Sequence, residues 1–485
     1  MSEQQQEVPE NHNGSSETKE RTWQEKIGLS AKTPIGLFGI GITTVCLTMT
    51  VIGLLGHITG LIENPYAAII TFLVFPSGAV FGLFLIPVAS YFRRKKWFKE
   101  YMDKEYMDQG NVVIDFGKKG HRKAVVLFLV LSVVNLAVFS LLIYEAYHFT
   151  ESDFFCGAIC HTVMDPEYTA YKRSPHAKVG CVSCHIGSGA KWYVRAKLSG
   201  LRQVKAVIDG SYSRPIPAPV VHLRPAQDTC EACHWPEKFH GKKIKQFVSY
   251  TDDDLENPDI QEIALRIGGR NPLTNSFEGI HWHVSKDVKV EYESLNAKRT
   301  SIGRIKVTKP SGVTEEYTID GAEVEEGSTP KWRTMDCIDC HNRPTHVYDD
   351  LDQIIDFGLS SKKISSDIPG IREDSFTVLQ KEYSSRDEAK EQIVEHLLFL
   401  QSERHDSDFV AENEQVLISS GAYLLESYMA NIWPKLAVTW GTYKGHNGHK
   451  YEDEGFGCFR CHDEEHTTSF GKTMSQSCDL CHDEP

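Results

Sequence analysis

Twelve of the thirteen cysteines in this 485-residue chain fall in six pairs, and a histidine follows every pair at once. Five pairs have the spacing Cys-x-x-Cys-His: Cys181/Cys184/His185, Cys230/Cys233/His234, Cys337/Cys340/His341, Cys458/Cys461/His462 and Cys478/Cys481/His482. The sixth, Cys156/Cys160/His161, carries one extra residue between its cysteines. Cys-x-x-Cys-His is the signature of c-type haem attachment. Two thiols add to the two vinyl groups of one haem, and the adjacent histidine then lies beneath the iron as an axial ligand. Zinc ribbons also use paired cysteines, because tetrahedral zinc takes Cys and His ligands, but they need no histidine after every second cysteine. Disulfides in an oxidising compartment leave the histidines unexplained as well. The pattern predicts six covalently attached c-type haems.

Each iron needs a second axial ligand unless it is a catalytic centre. The chain has 21 histidines, so fifteen remain after the six in the motifs. His12, His57 and His121 lie in a polar tail, an apolar stretch and a basic loop, and are poor candidates. Spacing ranks the others. His240, His346 and His466 each follow a motif closely, and His176 sits in Ser-Pro-His just before the second motif. His281 and His283 flank Trp282 and would point the same way in an extended segment. His449 precedes the fifth motif in Gly-His-Lys. The expected distal set is His176, His240, His283, His346, His449 and His466. His148, His222 and His446 are further candidates, with His396 and His405 the weakest.

These sites need a scaffold outside the cytoplasm, and the first third of the chain supplies an anchor. Residues 34–62, 67–92 and 124–147 are apolar runs without central charge, each long enough for the roughly 20 helical residues that cross a bilayer. Lys19, Arg21, Lys26 and Lys32 precede the first run, and Arg93, Arg94, Lys95, Lys96, Lys118, Lys119, Arg122 and Lys123 border the loop before the third. The link Glu63-Asn64-Pro65 has no basic residue. By the positive-inside rule the N-terminus is cytoplasmic, and three spans put everything after Tyr147 in the periplasm. The localisation expected is the inner membrane, multi-pass. No cleavable signal peptide is expected, because the first 33 residues are polar and the first apolar run has spanning length. Cys46 reads as a packing residue within a span. The net charge of -14 argues against nucleic acid as a partner.

The expected architecture is a membrane α-helical anchor of three helices plus a loop-rich, mainly α multihaem domain with a small β insertion. Its parts are a disordered tail (1–33), the anchor (34–148), a domain with motifs one to three (149–240), a β-rich insertion (241–330) and a C-terminal domain with motifs four to six (331–485). Residues 287–320 alternate apolar and polar, as in Val288-Lys289-Val290-Glu291-Tyr292, and predict a small antiparallel sheet. Residues 387–402 and 414–432 predict helices with acidic starts. Elsewhere the porphyrins themselves should form the core.

Longer stretches carry a family pattern. Phe155 to Met164, Pro166-Glu167-Tyr168, Ser174-Pro175-His176, the second motif with Ile186-Gly187, and the run from Lys197 to Val204 resemble the NapC/NirT family of membrane-anchored multihaem quinol dehydrogenases. Cys233-His234-Trp235-Pro236-Glu237-Lys238-Phe239, His281-Trp282-His283, Cys340-His341-Asn342-Arg343-Pro344 and Trp440-Gly441-Thr442-Tyr443 are similar to its larger members, including inner-membrane cytochromes of metal-reducing bacteria. The resemblance covers roughly residues 150–485. It implies oxidation of menaquinol or ubiquinol from the membrane quinone pool at the first haem. Electrons would then pass through bis-histidine haems to a periplasmic cytochrome or reductase, in anaerobic respiration or extracellular electron transfer. In some relatives a methionine just after the first motif replaces its histidine as ligand. Met164 is the match, one residue further on than in many members. The resemblance also gives His176 as a distal ligand and a lysine at the quinol site, for which Lys197 matches first and Lys191 second. No acidic residue stands at the family's spacing, and Asp209 is only a distant substitute. The family's small members have one span and four haems, so the hairpin of residues 34–92 is extra. The alternatives are a terminal multihaem reductase of the nitrite or hydroxylamine type, which needs an open iron, and a wiring subunit of a larger complex without a quinol site.

Overall fold

A computed structural model describes residues 34–58, 70–93, 116–159, 161–187, 189–220, 223–449 and 457–483. For residues 34, 57–58, 90–93, 120–121, 124–125, 127–136, 161–162 and 190–191 it describes the backbone element alone. The tail 1–33, the link Glu63-Asn64-Pro65, the basic run Arg94-Lys95-Lys96, Cys160 and His222 lie outside the described residues. The chain divides into two units, residues 1–150 and 151–485.

The first unit is helical. Helix α1 spans Pro34–Ile58, and α2 spans Phe75–Arg93 behind a π-turn at Ile70–Val74. The stretches Ile35–Gly56 and Ile70–Ala89 are long and apolar enough to cross a membrane. Small residues let the two helices approach closely. A Cβ added to Gly39 would sit 2.6 Å from Gly82 O, and one on Gly78 would sit 2.7 Å from Cys46 Sγ. Thr43 Oγ1 donates to Gly39 O within its own helix (2.8 Å) and reaches Ala79 O across the pair (3.2 Å). Cys46 therefore packs on a glycine of the neighbouring helix. Phe38, Val45, Ile52, Val80, Leu83 and Phe84 point outward and are exposed, as a lipid-facing surface requires. The third apolar run lies in α3, Lys119–Thr150, which is 32 residues long.

The second unit starts with helices α4 (His161–Arg173), α5 (Cys181–His185), α6 (Ala190–Asp209) and α7 (Ala226–Cys230). Among the described residues nine strands follow. β1 (Lys243–Thr251), β2 (Asp254–Leu265) and β9 (His482–Asp483) form one antiparallel sheet. β3 (Gly269–Arg270) and β4 (Phe277–Glu278) pair together. β7 (Thr314–Thr318), β6 (Ile302–Thr308), β5 (Lys289–Ser294) and β8 (Trp332–Thr334) lie in that order in the largest sheet. Val290, Tyr292, Ile305, Val307 and Tyr317 fill one face of it and are buried, which is the period of two that the alternating sequence encodes. β9 comes from the last motif, so the first sheet closes only when the C-terminus returns.

Between the fourth and fifth motifs stands a cysteine-free helical module. After the short α8 (Cys337–Cys340) come α9 (Leu351–Ser360), α10 (Ile371–Gln380), α11 (Arg386–Arg404) and α12 (Ser407–Asn431). Ile355, Ile371, Val378, Ile393, Leu397, Leu417 and Leu424 are wholly buried in one shared core. Ser385 caps α11 by accepting from Glu388 N (3.1 Å). The sequence placed the start of the last helix at residue 414. It begins at Ser407, because Asp406 accepts from Phe409 N (2.9 Å) and supplies the cap.

Candidate haem sites

Each motif is built on a single tight turn. Cys181–His185 and Cys337–Cys340 are α-helical, while Gly457–Arg460 and Cys478–Leu480 are 3-10 turns. In three motifs the histidine N–H donates to the carbonyl of the first cysteine: His234 to Cys230 (2.7 Å), His341 to Cys337 (2.8 Å) and His462 to Cys458 (3.0 Å). One turn therefore brings both thiols and the imidazole to one side. The first motif has an extra residue, and Phe154–Ile159 is a π-turn. A π-turn holds more residues per turn than an α-helix, which is what the longer spacing needs. Gly157 in that turn faces the Tyr168 ring, 2.3 Å from where a Cβ would stand, so no larger residue fits without displacement.

Five motif histidines each face a second histidine. The ring centres lie 6.1 Å apart for His185 and His346, 5.9 Å for His234 and His176, and 6.4 Å for His341 and His281. They lie 6.0 Å apart for His462 and His283, and 6.3 Å for His482 and His449. A metal–imidazole nitrogen bond is about 2 Å long, so two rings clamping one metal have centres about 6 Å apart. The spacing fits an iron between each pair. The second nitrogens agree. His176 Nδ1 donates to Pro344 O (3.1 Å), His281 Nδ1 to Ile267 O (3.0 Å), His283 Nδ1 to Ile280 O (2.8 Å) and His462 Nδ1 to Ser475 O (2.8 Å). His346 Nδ1 donates to Glu167 O (2.9 Å), with Glu167 Oε2 at 3.1 Å. Holding Nδ1–H in this way fixes the tautomer and leaves Nε2 for a metal. Burial, and then the facing imidazole, hold His185, His341 and His449 below the ordinary histidine range. They are neutral at pH 7, the form that ligates.

Two histidines expected as distal ligands face no motif histidine among the described residues. His466 is buried, but its Nδ1 meets Asp463 Oδ2 (2.7 Å) and its Nε2 meets Ile302 O (3.2 Å). Both nitrogens are committed to protein atoms. His240 stacks on no motif histidine among the described residues, and its Nδ1 lies near Gly269. The place expected for one of them goes to His281. The segment Ile280–Val284 is a 3-10 turn and not extended. Its two histidines therefore diverge, one to His341 and the other to His462. The His-x-His spacing carried that signal, but only the backbone shape decides between one target and two.

The motifs touch in chain order. The thiols of Cys156 and Cys181 lie near each other, as do those of Cys230 and Cys337 and of Cys458 and Cys481. Burial pushes the Cys184 thiol up, and nearby Cys230 adds to the shift. The Cys181–His185 turn packs on Ala226–Cys230, and His449 stacks on Phe459 of the fifth motif (4.3 Å) and faces His482 of the sixth (6.3 Å), so successive motifs are neighbours. Carboxylates brace the joints. Asp153 accepts from Cys181 N (2.7 Å) and Tyr171 OH (2.7 Å). Asp336 accepts from Ala226 N (2.7 Å), Gln227 N (3.1 Å) and Cys337 N (2.7 Å), which joins the third motif to the fourth. Arg460 Nη2 donates to Asp339 O (2.6 Å), joining the fourth to the fifth.

The first motif has one further set of neighbours. Lys197 Nζ lies 3.5 Å from Glu151 Oε1 and 5.0 Å from the Tyr193 ring centre. The charges of Lys197 and Glu151 both reach the Cys156 thiol. Burial first, and then Glu151, push the Tyr193 hydroxyl up. Glu151 is the acidic neighbour that sequence spacing missed. Asp209 is instead paired with Lys205 (2.7 Å), about 18 Å further along α6. Met164 is half-buried in the first turn of α4. The His161 and Lys191 side chains lie outside the described residues.

The chain belongs to the NapC/NirT cytochrome c family, whose N-terminal region matches residues 118–215. It is also 38% identical over 456 residues to the cytochrome c-type protein ImcH of Geobacter sulfurreducens, an alignment covering 93% of this chain and 87% of that protein. No solved structure matches the chain. Family, motifs and apolar helices together define a membrane-anchored multihaem c-type cytochrome that transfers electrons.

Proposed function

We propose that this chain is an inner-membrane hexahaem cytochrome that oxidises membrane quinol beside its first motif and delivers electrons to a periplasmic acceptor. The donor would be menaquinol or ubiquinol. Six covalently bound haems would supply the irons that accept and relay the electrons. The observation that carries the reading is that successive motifs are neighbours, joined through Asp153, Asp336, Arg460 and His449, in a series that begins at the motif nearest in sequence to the apolar helices. A relay needs such spacing from end to end.

The residues divide the work. Cysteines 156 and 160, 181 and 184, 230 and 233, 337 and 340, 458 and 461, and 478 and 481 would each hold one haem. His185 with His346, His234 with His176, His341 with His281, His462 with His283 and His482 with His449 would be the axial pairs of the last five. The first would take His161 or Met164. Lys197 would orient a quinol oxygen, and Glu151 would take its proton. The test is Lys197→Ala in membranes, read as quinol-driven haem reduction with dithionite-reduced haem as the content control. A fall of about tenfold is expected for a lost charged hydrogen bond. Unchanged turnover at equal haem content would overturn the quinol site.

A further inference from the structure

Helix α6 presents its apolar side outward. Val194, Leu198, Leu201, Val204 and Ile208 recur at intervals of three and four, so they form one stripe along the helix. On a surface helix of a globular protein that stripe faces the core. Here those five residues are 48–81% exposed, with Val204 48% and Ile208 81%. Trp192, Ala196, Ser199, Ala206 and Val207 are half-buried on the other side. A contiguous apolar patch of this kind marks an interaction surface.

Charge selects the occupant. Arg195 and Arg202 are exposed beside the stripe, and Lys205 is exposed but paired with Asp209 (2.7 Å), although the chain as a whole carries -14. An apolar stripe with a basic flank matches the interfacial helices that bind anionic phospholipid. A symmetric contact between two copies would set the same basic flanks against each other. Position agrees. Lys197 stands within the stripe and pairs with Glu151, the residue that directly follows α3. The last turns of α3 expose Tyr144 and Tyr147, the aromatic type found at membrane–water boundaries.

We propose that α6 lies in the membrane–water interface, its apolar stripe among acyl chains and its arginines at anionic headgroups. This contact stands apart from the quinol reading. Only one consequence rests on that reading, namely that Lys197 would meet quinol from the lipid side.

The test is photolabelling of the full chain in vesicles of phosphatidylcholine and phosphatidylglycerol that contain a phospholipid with a diazirine in its acyl chain. Lipid adducts, located by mass spectrometry, are expected on the peptide of residues 192–209. They should be lost in Leu198→Gln/Leu201→Gln/Ile208→Gln, whose haem spectrum should be unchanged. Adducts confined to residues 34–150 in the parent chain would overturn the proposal. So would crosslinks between two copies of α6. Yield on this peptide should fall in vesicles of phosphatidylcholine alone, and an equal yield would overturn the headgroup assignment. None of these readouts depends on quinol turnover.

Discussion

Two parts of the second unit hold together in different ways. The helical module of α9 to α12 has an aliphatic core, with Ile355, Ile393, Leu397, Leu417 and Leu424 fully removed from solvent. The motif-bearing body has short turns, half-buried cysteines and a frame of polar joints at Asp153, Asp336, Asp339 and Arg460. The hydrophobic effect stabilises the first directly. The second is organised around groups that the polypeptide does not supply. The contrast shows which part of the chain can fold by its own composition and which part waits for haem.

Loss of haem attachment should separate the two most strongly. In a chain made without haem, hydrogen exchange should be fast across residues 151–240 and 457–483 and should stay slow in 389–428. Equal protection of both would break the contrast. Next comes Leu397→Ala, which removes a fully buried side chain and should cost about 2–5 kcal/mol. The expected readout is a lower module unfolding midpoint in denaturant, with the haem absorption spectrum intact below it.

Acid should act on the other part. Burial, and then Arg460, hold His446 down at about 4. The folded state keeps the ring neutral while the unfolded chain protonates near 6.5. Stability should therefore fall as pH drops from about 6.5 to about 4, by at most about 3 kcal/mol. His446→Gln should flatten that slope in a denaturant series. A smaller effect is expected at the joint between the third and fourth motifs. Asp336→Ala strands three backbone N–H groups, at roughly 1–3 kcal/mol. It should loosen both motifs together in hydrogen exchange, and an effect on one alone would contradict the joint.

The sequence was most readable where the structure is local. Each haem turn spans five or six residues, the apolar helices are continuous runs, and the sheet of Val290, Tyr292, Ile305 and Val307 announces itself by alternation. Distal histidines are different, because they arrive from far along the chain. His346 follows the fourth motif in sequence and faces His185 of the second. His466 was favoured for its nearness to the fifth motif, yet that nearness serves an Asx turn. Asp463 Oδ1 accepts from Glu465 N and His466 N (3.0 Å each). Asp three residues before His is a readable capping pattern. Glu151 carries no local signal because its partner Lys197 lies two haem motifs and a helix later. The apolar residues of α6 recur at three- and four-residue intervals in the sequence, but their outward exposure belongs to the fold alone.

The central claim is that five particular ring pairs clamp five irons. Electron paramagnetic resonance of the oxidised full chain tests it most directly. His281→Ala and His346→Ala should each convert one low-spin haem to high-spin, whereas His466→Ala should leave the low-spin count unchanged. A low-spin haem lost in His466→Ala, with none lost in His281→Ala, would contradict the account.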